Sequence, residues 1–395
     1  MAISKRSWTT PKGERKSAWE AAYTDQQGKR RRKQFARKRD AEAWLVNTRS
    51  EVASGIHTPD SQSITVAHAA DLWLQACERG RDGRDPVEPH TLRAYDSHVR
   101  LHIKLLLGSE LLSQLTTPKI ASFRDALIDT RSRALAKKVL ASLKSIIKEA
   151  QGRGLVAQNV AAPVSITTAS RHKMQVQIPT KDQVRLIIEK AKEQISHPQP
   201  HISQAWRRYY PLLLTSVMTG IRASELRGLF WSNIDLTNGS LSVTHRADER
   251  GIIGSVKSSA GRRKISVPPS LTHALKEWKL LCPPGELVFP NWKGNIETHA
   301  NIVNRCWLPV CERSGMATVM QKAKKKHVDA HFSFKALRHF HASMLIASGA
   351  SPKEVQVEMG HSSIQVTFDI YGHLFPEDEG ARGQRAATME AEIFG

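Results

Sequence analysis

Cysteine, acidic residues and long apolar runs are all scarce in this chain. Its four cysteines, Cys77, Cys282, Cys306 and Cys311, contain no Cys-x-x-Cys pair, which argues against a zinc site or a disulfide framework and for reduced, mostly buried thiols. No apolar run reaches the roughly 18 residues needed to span a bilayer. The opening MAISKRSWTTPKGERK is basic but has no apolar core for a signal peptide, so the expected setting is the cytoplasm, away from any membrane. Acidic residues number 37 against 59 Lys+Arg, a formal net charge of +22. A surplus that large speaks to partners rather than to fold. Nucleic acid is the polyanion a soluble basic chain most often meets, with an anionic membrane surface as the competitor.

At 395 residues two or three domains are expected. Residues 1–60 concentrate charge in Lys29-Arg30-Arg31-Arg32-Lys33 and Arg37-Lys38-Arg39. Trp19 to Thr24 reads as a strand, Gln26-Gln27-Gly28 as a turn, and Arg30 to Phe35 as the returning strand, followed by a helix from about Asp40 that stops at Gly55. The basic run alone would suit a solvated tail. Interleaved with Trp19, Tyr23 and Phe35, it suggests a folded ribbon able to enter a major groove through Arg30, Arg31 and Arg32. Thr58 to Ser63 reads as a linker. Residues 64–165 then carry four helical stretches, opened by Thr65, by Thr91, by Thr117-Pro118 and by Ser132. The last has one apolar face and one basic face, with Lys137 and Lys144 among its charges, a pattern equally at home on a solvated helix. A second linker falls at 161–178, around Arg171-His172-Lys173. Beyond it a capping box at Thr180 to Gln183 opens the largest domain, with helices near 204–218 and 221–231, strands at 241–244, 252–256 and 264–267, and helices over most of the remainder. The fold class expected is multidomain and mostly α: a small β-sheet plus helix, then a helical domain, then a mixed α domain with a small sheet.

Five motifs follow one another in that last domain. Thr219 to Leu229 (TGIRASELRGL) places Arg222 three residues before Glu225, a spacing that alone would suit a surface ion pair. Val256 to Val267 (VKSSAGRRKISV) is a basic hairpin with Lys257, Arg262 and Arg263. Phe334 to His339 (FKALRH) carries Lys335 and Arg338, Met359 to Ser363 (MGHSS) carries His361, and Val366 to His373 (VTFDIYGH) carries Tyr371. His339 and His341 sit in a mixed apolar helix, where packed or solvated rings are commoner than a metal site.

Together these motifs resemble the tyrosine recombinase, or phage-type integrase, family. The resemblance extends upstream, 1–60 being similar to the arm-type DNA-binding domain of larger phage integrases and 64–165 to the helical core-binding domain, which leaves 178–395 as the catalytic domain with a C-terminal tail. It implies that Arg222 and Arg338 clamp a scissile phosphate as forked donors, that Lys257 protonates the departing 5′ oxygen, that His361 adds a hydrogen bond, and that Tyr371 is the nucleophile, its phenolate favoured by these basic neighbours. Arg262 and Arg263 are implied as DNA-backbone contacts. The family box usually reads His-x-x-Arg. Here Lys335 replaces the histidine, and an ammonium cannot accept the tyrosine's proton. His331 is the nearest substitute, and the acceptor stays unassigned.

The activity implied is site-specific breaking and rejoining of double-stranded DNA through a 3′-phosphotyrosyl link, for integration and excision, with no ATP, metal or other cofactor. A homotetramer on two DNA sites is implied, along with DNA-bending and directionality helper proteins. The apolar end of the tail, from Met389 to Phe394, is fit to dock on a neighbour or on its own domain. Within the same chemistry the rivals are a type IB topoisomerase and a chromosome dimer-resolving recombinase. From a different class, a non-catalytic DNA-binding regulator would explain the charge but not Tyr371. Residues 196–208 and the Lys322 to Lys326 run are outside the resemblance and read as solvated loops.

Overall fold

Alternation of small, aromatic and charged residues at period two makes the N-terminal segment a sheet. In the computed structural model, which describes residues 2–81, 83–167, 176–256, 258–322, 325–375 and 379–394, β1 (Ala2–Thr9), β2 (Arg15–Thr24) and β3 (Arg30–Phe35) form an antiparallel sheet in that order. The first strand was not foreseen. Pairing puts Trp19, Ala21, Tyr23 and Phe35 on one face, packed on Ala41, Trp44 and Leu45 of α1 (Lys38–Ala53). The aromatic residues therefore build a core and do not interleave with the basic face. Arg30 and Arg32 lie on the opposite face, where Arg6 and Arg32 flank the buried Glu20 at 3.0 and 3.5 Å. Arg31, also expected as a DNA contact, points to the helix side, bonded to Asp25 at 2.8 Å and Ser61 at 3.0 Å.

The stretch from Thr58 to Ser63 is not a slack linker. Asp60 accepts hydrogen bonds from Lys33 at 2.7 Å, Ser113 at 2.7 Å and Gln114 at 3.3 Å. Ala157 donates its amide to Thr58 at 3.1 Å. These ties join the sheet to the helical segment within the compact unit Met1–His172. Its helices are α2 (Val66–Arg79), α3 (Pro89–His98) running through a π-helical turn Val99–Ile103 into α4 (Lys104–Leu107), α5 (Thr117–Thr130) and α6 (Arg133–Gly152). Thr65 and Ser132 cap as expected, whereas α5 is capped by Thr116, one residue before the expected Thr117. Trp73, Ile103, Phe123, Leu143 and Ile147 fill the core. Lys137 is exposed. Lys144 instead donates to the Ala162 carbonyl at 2.9 Å, so its charge is tied to a loop of its own unit.

The second unit, Lys173–Gly395, opens with α7 (Lys181–Glu193) behind the capping box of Thr180 and Gln183. α8 (Pro200–Thr219) takes in most of the stretch expected as a solvated loop, because Trp206, Tyr209 and the later leucines give it a continuous buried face. α9 (Ala223–Arg227) is shorter than the expected helix. It stops at Gly228, where a Cβ would lie 2.7 Å from the Ala247 backbone nitrogen. β4 (Ile234–Asp235), β5 (Ser240–Val243), β6 (His245–Ala247), β7 (Ile253–Ser255) and β8 (Arg263–Ser266) follow, pairing as a β4-β5-β8 sheet and a separate β6-β7 ribbon. After α10 (Pro269–Leu281), α11 (His299–Ile302) and α12 (Leu308–Arg313) comes an unforeseen hairpin of β9 (Ala317–Lys322) and β10 (Lys325–Ala330). The lysine run expected as a loop spans this hairpin, with residues 323–324 outside the described ones. Residues 168–175 of the second expected linker also lie outside them. The chain finishes with α13 (Ala336–Ala347), α14 (Pro352–Met359), α15 (Ile364–Tyr371) and α16 (Glu379–Phe394). On α16, Met389, Ile393 and Phe394 are exposed, Phe394 by 83%. No described helix is long and apolar enough to cross a membrane.

Candidate active site

α14 ends at Gly360 because that residue takes a left-handed φ of 63°, which glycine adopts without a Cβ penalty. The carbonyls at that end hold two arginines. Arg338, near the start of α13, donates from Nη2 to Met359 O and from Nη1 to Gly220 O, the latter at 2.7 Å. Arg222, the residue before α9, donates from Nη2 to Gly360 O at 2.8 Å and from Nη1 to Glu225 at 2.6 Å. Successive carbonyls thus bring together two guanidinium groups that stand 116 positions apart in sequence (338 − 222). The Glu225 pair expected as a bland alternative exists, and it serves to aim Arg222, whose side chain keeps 40% exposure.

Glu225 is itself buried, and its other oxygen accepts from Arg263 Nη2 at 2.9 Å. Burial alone would raise this carboxyl, but Arg263 and then Arg222 outweigh it and hold the carboxyl below its usual range. Arg263, expected as a DNA-backbone contact, is tied within the protein. Its side chain is 2% exposed and bonded to Glu225, Glu358 O and Gly261 O. Arg262, one position earlier on the pleat, is exposed, as is Lys264. Lys257 lies outside the described residues. A cavity of about 490 Å³ beside the cluster is lined by Arg222, Ser224, Arg246, Ser258, Gly261 and Ser362.

Tyr371, the last residue of α15, is 1% exposed and packs with Ala342, Ile346, Val355 and Met359. Its hydroxyl is 2.7 Å from His339 Nδ1. The His361 ring lies nearly parallel to the phenol, 6.2 Å between centroids and 15° between planes, and its Nδ1 pairs with Thr367 Oγ1 at 2.9 Å. Burial pushes the phenol up to about 12, and the opposing pull of Arg338 is smaller. Burial likewise pushes His339, His341 and His361 down to about 4, with nearby cations adding to it. Arg338 is lowered to about 9, first by burial and then by Arg222. Its partners are neutral carbonyls, so an incoming anion would supply a counter-charge to a buried cation.

Lys335, the residue that precedes α13, is exposed. His331 is exposed and pairs with Thr318 at 3.2 Å, not with Tyr371. The residue sequence reasoning missed is His339. Its signal was position: it directly follows Arg338 in a helix whose Ala336, Leu337 and Phe340 all face inward. Glu225 and Arg263 were likewise legible only as charges, not as the buried pair that orients Arg222.

The chain matches the phage integrase family over residues 177–378. It is 26% identical to a tyrosine recombinase XerC-like protein of Caldanaerobacter subterraneus subsp. tengcongensis, over 90% of this chain and 91% of that one. It is 23% identical to the ICEBs1 integrase of Bacillus subtilis, over 81% and 82%. Among solved structures, the Tn1549 transposon integrase in complex with a circular intermediate DNA shares the fold, with a TM-score of 0.63 at 17% identity over 82% of this chain and 100% of that one. The lambda integrase dimer bound to a COC′ core site does so with a TM-score of 0.57 at 21% identity, over 92% and 93%. With two carbonyl-held arginines, a flanking histidine and the tyrosine that ends α15 gathered in the matched region, the chain belongs to the phage integrase family of tyrosine recombinases.

Proposed function

We propose that this protein is a site-specific DNA recombinase that integrates and excises mobile DNA through a covalent link between Tyr371 and a 3′ phosphate. The observation that carries this reading is Arg338, a buried guanidinium whose hydrogen-bond partners among the described residues are neutral carbonyls, close enough to Arg222 and Tyr371 to interact with both electrostatically. A scissile phosphate entering there would receive forked donors from both arginines, with His361 as a further donor. Lys257 supplies the proton for the departing 5′ oxygen in this scheme. The duplex is held outside the site by the exposed Arg30, Arg32, Lys137 and Arg262.

The working form is a homotetramer on two DNA sites, for which the exposed apolar residues of α16 offer a surface that a neighbouring protomer can cover. A tetramer of lambda integrase bound to a Holliday junction shares the fold, with a TM-score of 0.55 at 19% identity over 90% of this chain and 95% of that one. DNA-bending and directionality helper proteins complete the assembly. The test is a denaturing gel for protein linked to nicked duplexes from DNA flanking the gene. Wild-type protein should form the adduct and Tyr371→Phe should bind the same DNA without it. Adducts that persist in Tyr371→Phe would remove the assignment, and DNA binding without any adduct in the wild type would favour a non-catalytic regulator.

A further inference from the structure

We propose that His339 is the catalytic group that takes the proton from Tyr371, the role Lys335 cannot fill. The proposal rests on the recombinase reading of the site. Its geometric basis is direct contact: His339 Nδ1 is 2.7 Å from the Tyr371 hydroxyl, a reacting atom, and both residues are buried. The neutral ring, with its own proton on Nε2, accepts the phenol O–H at Nδ1. α13 fixes this arrangement because Arg338, one residue earlier, is pinned through Gly220 O and Met359 O. One helical turn thus aims a phosphate clamp and a proton acceptor together. His361 is the other ring beside the phenol, but its Nδ1 is engaged with Thr367. Lys335 and His331 are both exposed.

The Tyr371 oxygen forms a bond to the scissile phosphorus while its proton passes to His339 Nδ1. The bond from phosphorus to the 5′ oxygen breaks, and that oxygen leaves with its electron pair and takes a proton from the general acid, for which Lys257 is the candidate. Religation runs in reverse, and the imidazolium returns its proton to the departing tyrosine oxygen. The groups facing His339 are Lys335 and Arg338 on its own helix, and Tyr371 and His361 from across the cluster. The three cations or potential cations among them disfavour an imidazolium. A bound phosphate offsets them, so transfer accompanies attack rather than preceding it. Burial supports this order, since it keeps the ring neutral and the phenol protonated in the absence of DNA.

The probe is a nicked duplex that the wild-type protein has been shown to capture. Single-turnover adduct formation is measured from pH 6.5 to 9 for wild type, His339→Ala and His339→Asn, the last keeping an acceptor that cannot be protonated. Binding and thermal unfolding serve as controls. Both variants should cleave about 100-fold more slowly or worse with binding retained. Their rates should rise about tenfold per pH unit as hydroxide substitutes, added imidazole should restore part of the His339→Ala rate, and sulfur in place of the bridging 5′ oxygen should restore neither variant. The same sulfur substitution should rescue Lys257→Ala, because a thiolate leaves without a proton. A pH profile as flat as the wild type's in a folded His339→Ala or His339→Asn protein, whatever its rate, overturns the proposal. If wild-type protein forms no adduct through Tyr371, it is the recombinase reading that fails instead.

Discussion

At the scale of single residues, the site is a group of partners whose charges are set by burial. His339, His341 and His361 are each pushed down to about 4 against an ordinary value of 6.5. Between those values the unfolded chain binds protons that the folded one refuses, so stability rises with pH across this window and is lost as pH falls from about 6.5 toward 4. Thermal unfolding of the DNA-free protein should therefore drop steeply over that range, and His361→Asn should make the drop shallower. An unfolding temperature that stays constant from pH 7 to 5 would contradict these burials. Lys335 and Arg338 separate in the same way. Lys335 is exposed, whereas Arg338 is buried between two carbonyls, so Lys335→Ala should slow cleavage less than Arg338→Ala in the adduct assay. Equal losses would make the lysine a full member of the site.

At the scale of elements, two devices hold the arginines. Glu225 bridges Arg222 and Arg263 from a buried position, and Glu225→Gln leaves Arg263 without its counter-charge. Removing one partner of a buried pair typically costs about 3–5 kcal/mol, which should appear as a lower denaturant midpoint together with slower cleavage. Gly360 ends α14 at positive φ, and a Cβ there would lie 2.9 Å from Arg263 Nη1 and 3.0 Å from Ala260 O. Gly360→Ala should cost about 1–3 kcal/mol and displace the carbonyl that Arg222 uses. On the N-terminal sheet the pleat makes a sharper distinction. Arg32→Ala should weaken DNA binding and reduce the salt slope by about 0.9 with stability almost unchanged. Arg31→Ala should mainly lower stability, through the lost Asp25 and Ser61 bonds. The reverse pattern, read by salt titration and thermal unfolding, would mean the sheet presents its other face.

At the scale of the whole molecule, periodicity and caps made most helices legible. α2, α6 and α7 carry their own capping residues and one apolar stripe each, so local rules and tertiary packing agree. α9 and the stretch 196–208 misled because a close backbone approach at Gly228 and the buried face of α8 are tertiary facts without a local signature. β1 and the β9-β10 hairpin were missed for a related reason, as these strands gain their stability from pairing rather than from apolar alternation. Within the site, Arg222, Arg338, His361 and Tyr371 were legible because the motifs name them. His339 was not, because an imidazole in an apolar helix looks like packing until the residue 32 positions later is seen against it. Arg31, Lys144 and Arg263 show the converse: in a chain of net charge +22, a basic residue is as readily a tie within the protein as a contact with DNA.

A covalent reaction at Tyr371 is what this charge and this fold are proposed to serve. Its most direct test is to digest the DNA-linked adduct and locate the modified residue by mass spectrometry. The expected result is a 3′ phosphate ester on the peptide containing Tyr371, with none formed by Tyr371→Phe. A modified residue elsewhere, or duplex DNA bound and never linked, would contradict it.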